Sequence, residues 1–289
     1  GELYDISVLE DSQLKELNGT DEEISANLMQ ALARCSLTSS SWADRFAAVE
    51  LLRRMTLVKR HIDILDNDYV LLVAALESCT HAIGSLRSCS VRNGLLAISS
   101  LIRTVPQALS YEHGSTLLGA LMSGKLLTSG PKFISESATN LIEDIASLME
   151  PMVAVKCFAL SIDHKNPHVS NTAFCLVAKA VLAVPESVTD TWKEGLAISS
   201  NGSGSSVNRD CAQILSLLYR GLSTKWPSGR ELCRKSFQFL QERMGHSFAT
   251  LIGACLSEHQ CLDVKREISQ KSVAPPSSSS GGTGQGLSR

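Results

Sequence analysis

The chain has 289 residues and a formal net charge of −2, with 44% hydrophobic but only 5% aromatic residues. The small net charge argues against a nucleic-acid-binding protein that depends on bulk positive charge. No apolar run reaches the roughly 18–20 residues that a membrane span requires, so we also expect no membrane partner. A core built from Leu, Ala, Val and Ile favours closely packed helices.

Nine cysteines are present, an odd number, and no Cys-x-x-Cys motif occurs. We interpret them as small apolar residues of a reduced, intracellular protein. The chain starts at Gly1 in an acidic segment, without Met or a signal peptide. We therefore expect a fragment of a longer intracellular protein.

Three regions follow one another along the chain. Residues 1–20 are an N-terminal extension in which scattered apolar residues predict a short helix that ends at Asn18 and Gly19. Residues 21–268 are the main helical region, with Asp21 as a candidate cap of its first helix. From residue 269 the chain is rich in Ser, Gly and Pro, which predicts a disordered tail or linker over residues 269–289.

One helical pattern recurs through the main region. Apolar residues at i, i+4, i+7 and i+11 mark one face of a helix at residues 91–102, 134–145, 169–180 and 207–218, and less completely at 44–55. Successive matches begin 35 to 47 residues apart. This period is typical of HEAT or armadillo repeats, so we predict an all-α fold, an α-solenoid of about six HEAT-like helix pairs.

The predicted pairs place their internal breaks on one edge of the solenoid. In chain order they comprise residues 22–35 with 42–58, 69–83 with 91–105, 115–127 with 133–149, 151–162 with 169–184, 188–198 with 207–222, and an irregular pair, 230–244 with 247–256. Residues in or beside the first five breaks should therefore line up on a narrow edge. They are Trp42, Leu86, Arg87, Lys132, Asn166, His168 and Arg209.

These turns resemble those of the TOG domain, the tubulin-binding HEAT array of microtubule regulators. Residues 40–51 (SSWADRFAAVEL) resemble its opening Trp-x-x-Arg-x-x-Ala turn and helix. Residues 85–88 (SLRS) and 132–138 (KFISESA) resemble the second and third turns of the CLASP and crescerin branches. Residues 166–169 (NPHV) and 207–209 (VNR) fit the fourth and fifth, so the resemblance spans roughly residues 21–260.

The resemblance implies a TOG-type paddle that binds αβ-tubulin or microtubule ends through its edge of turns. It implies apolar contacts to β-tubulin from Trp42 and Leu86, and contacts to the acidic tubulin surface from Arg87, Lys132 and Arg209. It also implies a monomeric, non-catalytic domain in the cytoplasm, on microtubules of the spindle or cilium. The chain departs from the family where His168 replaces a basic residue and where the fifth turn is long and glycine-rich.

Structural interpretations of the same residues stay open. Trp42 could pack between the first two helices, Lys132 could be a solvated lysine, and Asp210 could neutralise Arg209. A second hypothesis for function is a scaffold that binds a peptide or partner helix in its groove, as armadillo arrays do. That scaffold would place Asn, Arg and Trp on inner helix faces, whereas the candidates here lie at turns.

The sequence offers little support for metal or catalytic chemistry. His164 and His168 have the i, i+4 spacing of helical metal ligands, but Pro167 lies between them and no third ligand is near. No nucleophile elbow, phosphate-binding loop or dinucleotide-binding motif occurs. We therefore expect no metal, no cofactor and no enzyme activity. Only an internal pocket in the structure would support the hypothesis of an enzyme.

Overall fold

The computed structural model describes residues 8–35, 41–199 and 209–269, without the side chains of Ser129 and of residues 197–199. All regular structure within these ranges is helical. The α-helices are α1 (Asp21–Cys35), α2 (Trp42–Met55), α3 (Lys59–Asn67), α4 (Tyr69–Ile83), α5 (Ser88–Thr104), α6 (Tyr111–Leu121), α7 (Lys132–Leu148), α8 (Pro151–Ala159), α9 (Pro167–Leu182), α10 (Glu186–Ser199), α11 (Arg209–Leu222), α12 (Pro227–Met244), α13 (Ser247–Cys255) and α14 (Glu258–Ser269).

The helices stack as six pairs, which confirms the predicted all-α solenoid. The first helices of the pairs form one row and the second helices form the other, and each pair contacts its neighbours. A π-helical turn, Lys125–Ser129, completes the first helix of the third pair and packs on α7. The pairs are α1 with α2, α4 with α5, α6 with α7, α8 with α9, α11 with α12, and α13 with α14.

The recurring apolar pattern forms the core between the rows. Val91, Leu95, Ile98 and Ile102, which mark the apolar face of α5, are each 5% exposed or less. The corresponding residues of α7 and α9 are equally buried. Burying this face contributes about 1.5–3 kcal/mol per large aliphatic side chain, so the period of the pattern determines which face packs inward.

The fifth and sixth pairs differ from the predicted ones: residues 230–244 and 247–256 were expected to pair, but their helices, α12 and α13, pair with α11 and α14. Residues 188–198 do form a helix, α10, but it is bent by 84° from α9 and packs on α12 and α13. Trp192 anchors it, with 3% of its surface exposed. Since α10 runs across the stack, the helix predicted to be its partner, α11, instead becomes the first helix of a pair with α12.

Side-chain contacts fix the register of this fifth pair. Ser236 Oγ of α12 donates a hydrogen bond to the Ala178 carbonyl of α9, 58 residues earlier, at 3.0 Å. In the first row, Asp210 at the start of α11 pairs with Lys156 of α8 at 2.8 Å. Arg220 near the end of α11 pairs with Asp163, which follows α8. Helix α11 therefore runs beside α8, and α12 beside α9.

The N-terminal extension packs on the second row without the predicted helix. Its described part contains only one 3-10 turn, Asp11–Gln13. The buried Arg53 guanidinium of α2 donates to Asp11 Oδ1 at 2.6 Å and to the Leu9 carbonyl at 2.7 Å. Arg92 of α5 forms an ion pair with Glu10. These bonds fix the N-terminal segment against the second row of helices. Its backbone is extended on both sides of the 3-10 turn, at Glu10 and Leu14.

Two helices and one boundary also differ from the prediction. Helices α3 and α14 were not among the predicted elements, and the predicted turn at 66–68 falls at the end of α3. The glycine-rich segment 200–208 and the predicted tail from residue 270 lie outside the described residues.

No single described helix is long and apolar enough to span a membrane, although α9 and α10 together reach that length and composition with their 84° bend.

Candidate protein-binding site

The turns inside the pairs lie side by side on one edge of the stack. We call this edge the turn ridge; it comprises residues 41–42, 84–87, 122–132, 160–168 and 223–226. Arg87 of the second turn lies over the Trp42 ring, with its guanidinium carbon 4.3 Å from the ring centroid. Lys125 of the third turn donates to the Gly84 and Ser85 carbonyls at 3.3 and 3.2 Å. Each of these contacts joins one turn to the next.

The fourth turn continues the same chain of contacts. Asn166 Nδ2 donates to Thr128 Oγ1 of the third turn at 3.3 Å, and Asn166 Oδ1 accepts from the His168 backbone N–H at 2.9 Å. His164 Nδ1 accepts from the Asn166 backbone N–H at 3.0 Å. Asn166 is thus held by its neighbours as the cap of α9, while His168 is exposed. His164 supports the turn, and no described group of three or more His, Cys, Asp or Glu residues is arranged to hold a metal ion.

The first turn is set by a capping box at the start of α2. Ser41 Oγ accepts from the Asp44 backbone N–H at 3.1 Å, and the Asp44 carboxylate accepts from the Ser41 backbone N–H at 3.2 Å. Hydrogen bonds from the Ser41 side chain and backbone hold the pKa of the Asp44 carboxyl below its ordinary value. This cap orients the next residue, Trp42, across the gap between the first two turns.

A pocket of about 390 Å³ opens at this gap. Phe46 and Val49 line its apolar part, and Trp42, Leu86 and Arg87 stand around it. Trp42 is half-buried, whereas Leu86 is 94% exposed. The two predicted apolar tips therefore differ. The Trp42 side chain forms part of the pocket wall, whereas the Leu86 side chain is almost fully exposed to solvent.

The third turn presents Lys132 to solvent. Pro131 caps α7, and Lys132 is its first residue. The Lys132 side chain is 88% exposed and approaches Glu136 at 3.5 Å. An exposed i, i+4 pair of this kind contributes at most about 0.5 kcal/mol, so Lys132 remains available to a partner.

Arg209 does not lie on the turn ridge, which corrects the predicted row. It is the first residue of α11, a helix of 14 residues, and a helix of that length is about 20 Å long. Arg220, near the opposite end, is the residue that contacts Asp163 of the fourth turn. Arg209 is therefore at the far edge of the stack, because α11 is a first-row helix and not a second-row one.

The fifth turn of the ridge comprises residues 223–226, which the sequence pattern did not single out as a site. Lys225 Nζ lies 5.6 Å from the ring centroid of Trp226, and Trp226 is 39% exposed. The only sequence signal is the placement of Trp226 immediately before Pro227, which resembles Asn166 before Pro167 in the fourth turn. Once α11 is recognised as a first-row helix, that correspondence identifies the turn.

Positive charge predominates on the ridge. Its exposed basic side chains are Arg87, Lys125, Lys132, Lys165 and Lys225, and its exposed acidic side chain is Asp163. Glu136 approaches Lys132, and Asp163 pairs with Arg220. The ridge therefore carries a local excess of positive charge, although the whole chain has a net charge of −2. Such a distribution steers an acidic partner toward the edge.

The stacked pairs define a HEAT-type α-solenoid, and comparison with solved structures narrows the fold further. The chain is similar to crescerin, described as using a TOG domain array to regulate microtubules in the primary cilium, with 14% identity, a TM-score of 0.50, and coverage of 90% of this chain and 91% of that chain. It is also similar to Drosophila melanogaster Mini spindles TOG3 (13% identity, TM-score 0.49, 85% and 95% coverage) and to the MAST/Orbit N-terminal domain (13%, 0.46, 88% and 96%). Comparison of the sequence with family models and with curated proteins finds no match. The predicted resemblance to TOG domains is thus confirmed at the level of the fold.

Proposed function

We propose that this chain is a non-catalytic domain that binds αβ-tubulin or microtubule ends through the turn ridge. It would act in the cytoplasm, on microtubules, as a monomeric part of a regulator of microtubule growth or stability. The TOG-type fold supports this proposal, and crescerin, which shares the fold, is described as regulating microtubules in the primary cilium.

The observation that carries the proposal is the continuous ridge of turns. Folding of a single helix pair requires no exposed Leu86 at a turn, and the exposed pair of Lys132 with Glu136 adds little to its stability. The contacts from turn to turn hold these tips in fixed relative positions, which reduces the entropy lost when a partner binds. A rigid edge of apolar and basic tips suits a partner with a large acidic surface, such as tubulin.

Trp42 is expected to contribute most of the binding free energy at the first turn. Tryptophan is enriched among residues that dominate protein interfaces, particularly where a neighbouring pocket excludes water. Arg87 covers one face of the ring and is exposed, so its guanidinium can donate hydrogen bonds to a carboxylate of the partner. Lys132 adds steering rather than tight contact, because an exposed lysine at an interface rim chiefly affects the association rate.

The structure disfavours the alternative of a peptide-binding groove at the first two repeats. The second-row face of α2 and α5 is covered there by residues 9–16 of the chain itself. Arg54 donates to the Lys15 and Glu16 carbonyls at 2.6 and 3.2 Å, in addition to the bonds made by Arg53. A peptide would have to displace this segment and remove the Asp11 and Leu9 partners of the buried Arg53 guanidinium, which would keep only its bond to Asn93.

Gel filtration with tubulin tests the proposal. The unmodified chain should co-elute with αβ-tubulin, and the double variant Trp42→Ala with Lys132→Glu should not. The matched control is Tyr111→Ala with Lys59→Glu, which alters an exposed aromatic ring and an exposed lysine at the starts of α6 and α3, away from the ridge. Co-elution of the ridge variant, with a circular dichroism spectrum like that of the unmodified chain, would remove the proposed site.

A further inference from the structure

We propose that residues 9–16, which we call the strap, position the pocket between the first two turns of the ridge for the partner. The residues that do so are Asp11, Arg53 and Asn93, none of which lies on the turn ridge. This inference rests on the proposed function and adds positioning residues to its binding site. The strap would act on tubulin binding without contacting tubulin.

A buried hydrogen-bond network leads from the strap into the helices. Asp11 Oδ1 accepts from Arg53 Nε at 3.1 Å and from Arg53 Nη2 at 2.6 Å. Arg53 Nη1 donates to Asn93 Oδ1 at 3.0 Å, and Asn93 Nδ2 donates to the Phe46 carbonyl at 3.0 Å. Arg53 and Asn93 are 1% and 0% exposed. The network therefore passes from the strap to α2, across to α5 and back to α2, with its middle members shielded from water.

The network ends in the lining of the pocket at the ridge. Phe46 and Asn93 both line that pocket, as do Trp42 and Arg87. Trp42 precedes Phe46 by four residues on α2, so the two side chains lie on one face of the helix. Arg87 directly precedes α5, and Asn93 lies in the second turn of that helix. The Asn93 bond therefore fixes how the starts of α2 and α5 lie against each other, and with them Trp42 and Arg87.

Arg53 depends on the strap for the neutralisation of its buried charge. Among the described residues, Asp11 provides the one ion pair of Arg53, and the Leu9 carbonyl accepts a further bond at 2.7 Å. A buried charge that loses its partner is strongly unfavourable, so without the strap the guanidinium would move toward water. That movement removes the donor of Asn93 Oδ1, a buried atom for which an unmade hydrogen bond is costly. Loss of the strap thus disturbs the contact between α2 and α5 behind the pocket.

A second ion pair attaches the strap without reaching this pocket. Glu10, next to Asp11, pairs with Arg92 of α5. Arg92 does not line the pocket at the ridge, and it lines a separate one between α5 and α7. Glu10 is therefore a matched control for Asp11, because both residues hold the strap and only Asp11 connects it to the pocket.

Hydrogen–deuterium exchange of the chain by itself tests the positioning. Asp11→Ala should raise exchange in the first two turns of α2 and α5 more than in α9, and Glu10→Ala should not. Asn93→Asp keeps the acceptor for Arg53 but loses the donor to the Phe46 carbonyl. This variant should raise exchange in the same two places while the strap remains attached.

Titration with αβ-tubulin then tests whether this positioning controls binding. Asp11→Ala and Asn93→Asp should weaken Kd by at least about fivefold, because only chains with an ordered pocket bind tightly. Glu10→Ala should leave Kd within about twofold. In a Trp42→Ala background, Asp11→Ala should have little further effect, because both substitutions act on the same contact. A strap that only stabilised the fold would not produce this dependence on Trp42.

The outcomes separate this inference from the function on which it rests. If Asp11→Ala lowers stability but matches Glu10→Ala in exchange at α2 and α5 and in Kd, the strap only stabilises the fold and the inference is wrong. A rise in exchange with an unchanged Kd would equally overturn it. If the unmodified chain binds neither tubulin nor microtubule ends, the proposed function is wrong, whereas the exchange of Asp11→Ala and Asn93→Asp still decides whether the strap orders the pocket.

Discussion

The guanidinium carbon of Arg87 lies 4.3 Å from the centroid of the Trp42 ring, a contact that joins the first turn of the ridge to the second. The contact closes one side of the pocket between these turns and fixes the Trp42 ring against it. It also holds a cation at the rim where an acidic partner would meet the ring. One pair of residues therefore contributes both to the packing of adjacent repeats and to the proposed site.

Replacing Arg87 by Ala should test how far that contact stabilises the fold. At an exposed site a cation–π contact contributes about 0.5–1 kcal/mol, so we expect a small loss of unfolding free energy. A double-mutant cycle with Trp42→Leu, which removes the aromatic ring, isolates the pairwise contribution when read by urea denaturation. Tubulin affinity should fall more than stability does, because the arginine also faces the partner. Additive effects of the two mutations would show that no such coupling exists.

Replacing Asp11 by Ala should destabilise the chain more than replacing its neighbour Glu10. Asp11 pairs with Arg53, whose side chain is fully buried, whereas Glu10 pairs with the half-exposed Arg92. We expect Asp11→Ala to lower the unfolding free energy by roughly 2 kcal/mol, because it removes a partner of a buried charge; the half-exposure of Asp11 keeps the loss below that for a fully buried pair. Glu10→Ala should lower it by less than about 1 kcal/mol. Chemical denaturation of the two variants side by side measures the difference. Equal losses would mean that the extension does not depend on the buried guanidinium.

Gly221→Ala should disrupt the fifth pair. A Cβ at Gly221 would overlap Cys233 Sγ of α12 and approach Phe174 of α9 within 3.2 Å. Overpacking of this kind typically costs about 1–3 kcal/mol. The control is Gly119→Ala in α6, where the added methyl meets no atom within 4 Å and should stabilise the helix by about 0.5–1 kcal/mol. Opposite shifts in Tm are therefore expected, and a neutral Gly221 variant would contradict the pairing of α11 with α12.

The stability of the chain should fall in mild acid through His61. This side chain is fully buried, its Nε2 accepts from Arg60 Nε at 3.0 Å, and its Nδ1 has no partner. Burial, followed by the positive charge of Arg60, lowers the pKa of His61 below its ordinary value. As pH falls below about 6.5 the unfolded chain binds a proton that the folded chain resists, so unfolding becomes easier.

Denaturation curves between pH 7.5 and 5.5 measure this effect. His61→Gln should flatten the dependence of the unfolding free energy on pH. The exposed His168 provides the control, and His168→Gln should leave the slope as it is. An unchanged slope in the His61 variant would assign the acid sensitivity to other groups.

Arg209→Glu should leave tubulin affinity within about twofold, whereas Lys225→Glu should weaken it clearly. The two substitutions change charge by the same amount, but only Lys225 lies on the ridge. Surface charges far from an interface act through water and salt, which screen them beyond about 10 Å. Parallel titrations at one ionic strength make the comparison. A strong effect of Arg209→Glu would indicate that the binding surface extends to the opposite edge.

The amino-acid sequence alone determined most of the helices and the first four pairs. The apolar period of α5, α7 and α9 predicted their buried faces, because only one face of a helix with that spacing can be shielded from water. The short links inside the first four pairs then placed Trp42, Arg87, Lys132 and His168 on one edge. For these repeats the local pattern and the global fold agree, so the sequence pattern was sufficient to predict which helices pair.

Only the tertiary structure decided the fifth and sixth pairs and, with the fifth pair, the fifth turn. Helices α10 and α11 both carry apolar faces, and nothing local states that α10 lies across the stack while α11 joins α12. That choice depends on packing between residues far apart in sequence, such as the bond of Ser236 to Ala178, and on the burial of Trp192. A periodic pattern specifies which face of a helix is buried but not which neighbour buries it, so Trp226 took its place on the ridge only when the helices were assembled.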